Sequence, residues 1–216
     1  MIKSSQYAIA GIAQTRVGRI TDMSHYGLQV TAAAMAMEDA GVTKADIDGV
    51  ITHSHFLGSV RVHHQHLSER LGLDTEFGVS ISSGGATSCL MVQMAAEAGF
   101  CTTVLCVHGD KMLTNPGNAP ESEMQEYGLF GAAAQHAFGF TRHMHDYGTT
   151  HDQLGAIAVA CRKHAQLNPD AQMRKPLSLE DYHNSPWVVS AATARYFLLS
   201  SVIALFTKAL KLTCHT

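Results

Sequence analysis

Apolar residues along this chain recur in two rhythms, and their alternation sets the fold class. Short apolar runs closed by polar turn residues read as strands: Tyr7 to Thr15 ("YAIAGIAQT"), Val50 to Thr52, Phe77 to Ser82 ("FGVSIS") and Thr102 to Asp110 ("TTVLCVHGD"). The segments between them carry helical spacing. In "SHYGLQVTAAAMAMEDAG", Leu28, Ala32, Met35 and Ala36 predict one apolar face, with Ser24 placed to cap the start and Gly41 to end it. Val60 to Leu71 predicts a second helix closed by Gly72, and Thr87 to Ala98 a third stopped by Gly99. Strands alternating with helices predict an α/β fold with a mainly parallel sheet.

The rhythm changes after residue 112. Leu113 to Ala119 ("LTNPGNA") is loop. Glu121 to Tyr147 is helical in period but carries glycines, which predicts helices broken by a turn. The helix beginning at Thr149 or Thr150 has Asp152 in its first turn and Arg162, Lys163 and His164 in its last, which complements the helix dipole, and Asn168-Pro169 stops it. Ser178 caps a further short helix. The tail beyond Ser190 has no Gly, Pro, Asp or Glu. Its apolar core "YFLLSSVIALF" is shorter than the ~20 residues that span a bilayer. Two readings stay open for it: an amphipathic helix covering the core, or out-of-frame residues following a frameshift near Ser190. The expected organisation is therefore an α/β core over 1–112, a helical lid or loop region over 113–190 and an atypical tail over 191–216.

The chain has 216 residues, 46% hydrophobic and 15% charged, enough for one large domain or two small ones with a real core. A formal net charge of -3 leaves no electrostatic footprint for nucleic acid. The N-terminus lacks a secretory signal pattern, and the five cysteines show neither a CxxC pair nor a disulfide framework. Reduced thiols in a cytoplasmic protein are expected, with Cys101 and Cys106 acting as small buried hydrophobes. The 14 histidines include His53 and His55, on one face if extended, and the group His63, His64 and His66. An HxH pair supplies two metal ligands, but no third is readable, so hydrogen-bonded or solvated histidines are expected and no metal is assigned. His108 ends the strand "VLCVHGD" and is a candidate base.

"SSGGATS", Ser82 to Ser88, reads as a strand end, a glycine turn and a helix start. Together with "YAIAGIAQT", "AMEDAGVTKADIDGVIT", "TTVLCVHGDKM", "YGTTHDQLGAIAVACRKHAQLNPDA" and "RKPLSLEDY", in that order, it resembles the thiolase superfamily, in its lipid-transfer-protein-like branch related to the sterol-carrier thiolases. The resemblance covers Tyr7 to about Ser190. It implies the N-terminal βαβαβαββ half of a two-half α/β fold, the start of a lid over coenzyme A, and a homodimer in which Phe77 to Ser82 pairs with its twin.

The same resemblance implies an acyltransferase-type enzyme of acyl-CoA and lipid metabolism, with a coenzyme A thioester as substrate and no separate cofactor. Thiolases carry a cysteine nucleophile at this elbow, and matching "GATS" to their pattern puts Gly85 in its seat. Glycine forms no acyl-enzyme. Cys89, about one helical turn further on, is a weak substitute and reads as a small residue on the core face of its helix. Members of the branch without the cysteine cleave steroid side chains by a retro-aldol reaction beside a zinc-ribbon/OB-fold partner. Ser83, Gly84, Gly85 and Ala86 would then bind the substrate, their N–H groups facing an oxyanion. The alternatives are a non-catalytic acyl-CoA or lipid-binding subunit and an inactive fragment.

Overall fold

The computed structural model of the protein describes residues 7–53, 62–97, 101–111, 114, 131–189, 194–195 and 208–214. The chain divides into two compact units, Met1–Asn118 with Phe206–Thr216, and Ala119–Leu205.

The first unit is a five-stranded sheet covered on both faces. Its strands are β1 (Tyr7–Gln14), β2 (Gly49–Thr52), β3 (Phe77–Ser80), β4 (Thr103–Val107) and a strand from the tail, Lys208–Cys214, here β7. The order across the sheet is β1-β7-β4-β2-β3. β2 pairs parallel with both β3 and β4, while β7 runs antiparallel to both β1 and β4. β7 is thus the one strand of this sheet that opposes the others, and it lies inside the sheet rather than at an edge. A helix over these tail residues is not what forms. The apolar run Tyr196 to Phe206 lies outside the described residues.

Burial explains the strand sequences. Every residue of β2 and β4 is buried, as continuous apolar runs flanked by helices on both faces require. Alternation then divides the core. Val50, Leu105 and Val107 face α1 (His25–Ala40) and α2 (His63–Leu71), whereas Ile51, Val104 and Cys106 face α3 (Thr87–Glu97). Each such Val, Leu or Ile contributes about 1.5–3 kcal/mol on burial.

The helix ends follow their local chemistry. The Ser24 hydroxyl accepts from the Gly27 N–H at 2.9 Å, and Gly41 and Gly72 close α1 and α2 at φ 65°. Of the apolar face expected on α1, Leu28, Ala32 and Ala36 are buried, but Met35 is 42% exposed. Gln29, Ala33 and Met37 complete the face instead, which moves its centre round the helix from Leu28 and leaves Met35 at the rim. Gly11 lets β1 approach α1, since a Cβ there would lie 2.4 Å from the Ala36 carbonyl oxygen. Asp48 ties the starts of β2 and β4 by accepting from the N–H groups of Thr102 and Thr103 and from the Thr102 hydroxyl, at 2.7–2.8 Å.

The second unit contains α4 (Gly131–Tyr147), α5 (His151–Leu167), α6 (Leu179–His183) and the short antiparallel pair β5 (Trp187–Val189) and β6 (Ala194–Arg195). The break expected within Glu121–Tyr147 does not occur over 131–147: α4 runs unbroken through Gly139, whose propensity cost of about 1 kcal/mol a long helix absorbs. Residues 121–130 lie outside the described set. Thr150 and Ser178 cap α5 and α6, each completing a capping box, with Gln153 and Asp181. Leu154, Ala158, Leu177 and Tyr182 form this unit's core. Gly155 is the contact point of α5 and α6: a Cβ there would lie 2.4 Å from Leu179 and 2.7 Å from Tyr182.

Candidate functional site

Parallel register brings three strand ends together. Thr52 stands opposite Ser80 on β3 and opposite Val107 on β4. The next residue on β2 is therefore level with the next on β4, and those residues are His53 and His108. Their rings meet edge to face at 4.6 Å between centroids. The Ile81 N–H donates to the Thr52 carbonyl at 2.9 Å, which carries the chain past β3 alongside His53. One residue later, the Ser82 hydroxyl lies 3.1 Å from His53 Nε2. His53 and His108 are 4% and 8% exposed, while Ser82 is exposed. The carboxyl ends of parallel strands are where open α/β sheets hold ligands.

The elbow follows at once. Gly84–Ala86 forms a 3₁₀ turn that leads into α3. Gly84 has φ 55°, a left-handed conformation that glycine adopts without strain, and a Cβ there would meet nothing within 4 Å. The Thr87 hydroxyl fixes the turn, accepting from the Ser83 N–H at 2.9 Å and donating to the Gly84 carbonyl at 2.7 Å. Ser83, Gly84 and Ala86 are exposed, so this segment of the elbow faces open space.

A second set of bonds holds the turn after His108. Gln29, fully buried on α1, donates to the Gly109 carbonyl at 3.1 Å. Its amide oxygen then faces His63, so His63 Nε2–H is the donor of their 2.9 Å bond. The His63 ring stacks on Tyr26, over which Arg70 lies at 3.9 Å. The Lys111 ammonium donates to the Met23 carbonyl at 2.7 Å, and His25 stands 3.3 Å from the buried carboxylate of Asp110.

Several expectations are resolved by this geometry. His108 packs against His53, whose Nε2 reaches Ser82 at the start of the elbow. Cys89 is exposed and not on the core face: Thr87 and Met91 are the buried positions around it, and a residue two places from each points the other way. Cys106 is buried, and burial pushes its thiol up to about 12. Burial, with Asp48 and Glu76 nearby, pushes Cys101 to about 11. Both are far from the thiolate form that attacks. His63 donates within the core and His64 bonds Ser80 at 3.1 Å, which gives these histidines structural partners. Among the described residues no three His, Cys, Asp or Glu side chains are grouped to hold a metal. His55 lies outside the described residues. The pairing of His53 with Ser82 and His108 was missed in the sequence, where the only available signal was that both histidines directly follow short apolar strands.

Compared with models of known protein families, the chain matches none. Individual proteins do match. It is 31% identical over 202 residues to a steroid side-chain-cleaving aldolase of Thermomonospora curvata, covering 84% of this chain and 51% of that one. Identity is also 31% to the 17-hydroxy-3-oxo-4-pregnene-20-carboxyl-CoA lyase of Mycobacterium tuberculosis, over 86% of this chain and 52% of the lyase. Its fold superposes on the Ltp2-ChsH2(DUF35) aldolase with a TM-score of 0.79 at 28% identity, covering 97% of this chain and 56% of the other. The chain belongs to the thiolase superfamily. Within it, the similarity falls on the SCP2-thiolase-like and Ltp2 aldolase branch. A monomeric SCP2-thiolase-like protein of Mycobacterium smegmatis shares the fold at 19% identity and a TM-score of 0.70. This thiolase-superfamily chain spans about half the length of the curated relatives it matches. No helix among its described residues is long and apolar enough to cross a membrane.

Proposed function

We propose that this chain contributes to a thiolase-like site that takes a coenzyme A thioester and cleaves a carbon–carbon bond by a retro-aldol reaction. The observation that carries the reading is the elbow itself. By resemblance Gly85 takes the seat of the superfamily's nucleophile, and Ser82, three residues before it, meets His53, whose ring packs on that of His108. Retro-aldol cleavage needs a base for the substrate hydroxyl proton and donors for the developing enolate oxygen, and it needs no covalent nucleophile. His108 is assigned as the base. The backbone N–H groups of Gly84 and Gly85 are assigned to the enolate oxygen, because the Ser83 N–H is taken by the Thr87 hydroxyl and the Ala86 N–H by the Ser83 carbonyl. As the proton leaves the hydroxyl, the Cα–Cβ bond breaks to give a ketone and the enolate of a shorter acyl-CoA, which is then protonated. The relatives named as an aldolase and a lyase support this reading.

Two assembly features belong to it. β3 lies at the sheet edge, where a second copy adds its own strand in a homodimer. A zinc-ribbon/OB-fold chain is the proposed partner, in keeping with the DUF35 chain in the name of the similar aldolase. The test uses the full chain with such a partner and 17-hydroxy-3-oxo-4-pregnene-20-carboxyl-CoA as probe. Release of a ketosteroid and a shorter acyl-CoA is expected, and His108→Asn should slow it about a hundredfold or more. Coenzyme A binding without turnover in every combination would instead make the chain a binding subunit.

A further inference from the structure

The hydroxyl at the elbow is the feature that the retro-aldol reading leaves unused. We propose that Ser82 is a covalent acyl acceptor, activated by His53, and that the chain hydrolyses short acyl-CoA thioesters through an ester on Ser82.

The geometry is that of a nucleophile and its base. Ser82 Oγ lies 3.1 Å from His53 Nε2, within the reach that proton transfer from a hydroxyl requires. The two residues differ sharply in exposure. His53 is 4% exposed, its ring meets that of His108 edge to face, and its Nε2 faces the Ser82 hydroxyl. Ser82 is exposed, so the residue that bears the hydroxyl stands at the surface. A bond serving only to staple the strand end would be equally satisfied with both partners buried. Immediately beyond Ser82 the chain turns at Gly84, where the absent side chain leaves open space for a carbonyl carbon and its substituents. Neither nearby cysteine competes for the role: Cys106, on β4, is buried against α3, and Cys89 lies on the exposed side of α3.

The step balances with water as the one co-reactant. Ser82 Oγ attacks the thioester carbonyl carbon as its proton passes to His53 Nε2. The C–S bond breaks, and the departing sulfur takes that proton to leave as coenzyme A thiol. Water then loses a proton to His53 and attacks the Ser82 ester, releasing the free acid and restoring the hydroxyl. No oxidation or reduction occurs.

The proposal rests on the reading that a coenzyme A thioester enters at the elbow, and the experiment keeps the two apart. The full chain is mixed with acetyl-CoA. Coenzyme A binding is followed by calorimetry, and covalent acetyl by intact mass and peptide mapping. One acetyl group on Ser82 is expected, absent in Ser82→Ala and formed about a hundredfold more slowly in His53→Gln. Should His53→Gln not fold, the exposed Ser82→Ala change decides alone, because it removes the acceptor and leaves His53 in place. Binding of coenzyme A with neither acetyl on Ser82 nor release of acetate and coenzyme A thiol overturns this proposal and leaves the retro-aldol reading standing. Absence of coenzyme A binding overturns both.

Discussion

Replacing Leu210 by proline probes whether β7 holds the first unit together. Leu210 stands opposite Ile12 on one side and Cys106 on the other. From Ala209 to Thr213 β7 has a neighbour on both sides, and Leu210 lies outside the irregularity between Ile9 and Gly11, so its N–H faces an acceptor on β1 or β4. Proline has no N–H to give. The loss comprises one net hydrogen bond, about 1 kcal/mol, and an orphaned carbonyl inside the sheet, about 1–3 kcal/mol more. Together these make roughly 2–4 kcal/mol, against a total stability on the order of 5–15 kcal/mol for a domain. In urea, at a slope of roughly 2 kcal/mol per molar, the midpoint should fall by about 1–2 M. Leu210→Val, which keeps the N–H, serves as the control and should stay near the parent. A tail without a place in the fold would tolerate the proline and would equally tolerate removal of residues 191–216. Unchanged urea midpoints for Leu210→Pro would therefore refute the central position of β7 and favour the out-of-frame reading of the tail.

Further outcomes follow from single contacts. Cys89→Ser should leave turnover of any acyl-CoA within about twofold, since the thiol points away from the core face of α3; loss of activity, or an acyl group trapped on Cys89, would contradict this. The same substitution should act with opposite sign at two helical glycines: Gly139→Ala, where a Cβ meets nothing, should stabilise the second unit by about 0.4–1 kcal/mol, whereas Gly155→Ala should cost about 1–3 kcal/mol by pressing on Leu179 and Tyr182, both read by thermal melting. Burial pushes the Asp48 carboxyl up, but the bonds from Thr102 and Thr103 outweigh it and hold the group below its ordinary range. Its stabilising effect is thus complete above the unfolded value of about 4 and disappears as pH falls through the lower folded value, so Asp48→Asn should show a flatter loss of stability from about pH 5 to 3 than the parent.

What the sequence discloses depends on how local the deciding interaction is. Ser24, Gly41, Gly72, Thr150 and Ser178 act within one turn of themselves, and each was readable from residue type and position. The elbow was legible for the same reason, since its glycines sit between a recognisable strand and a recognisable helix. The pairing of His53 with Ser82 was not, because it depends on β2 and β3 lining up Thr52 with Ser80, a register that no local pattern states. Cys89 was misjudged by phase, as the face of α3 that packs inward is set by the sheet beneath it. The strand β7 was hidden most deeply. "KALKLTC" carries lysines and aliphatics at spacings that suit a helix as well as a strand, and only the slot between β1 and β4 selects the extended form.

That slot has a consequence for how the molecule is made. β4 ends at Val107 and β7 begins at Lys208, so about a hundred residues leave the ribosome between the two. At roughly 5–20 residues per second this interval lasts on the order of 5–20 s. Throughout it β1 has no neighbour beside it and β4 presents one bare edge, while every residue of the second unit is already being synthesised. The first unit therefore waits, with backbone groups open to any passing strand, for a segment that arrives after its companion unit has emerged. A nascent chain of this design is most exposed to mispairing during that window, and a chaperone that shields the edges of β1 and β4 would raise the yield of folded protein without touching the finished structure.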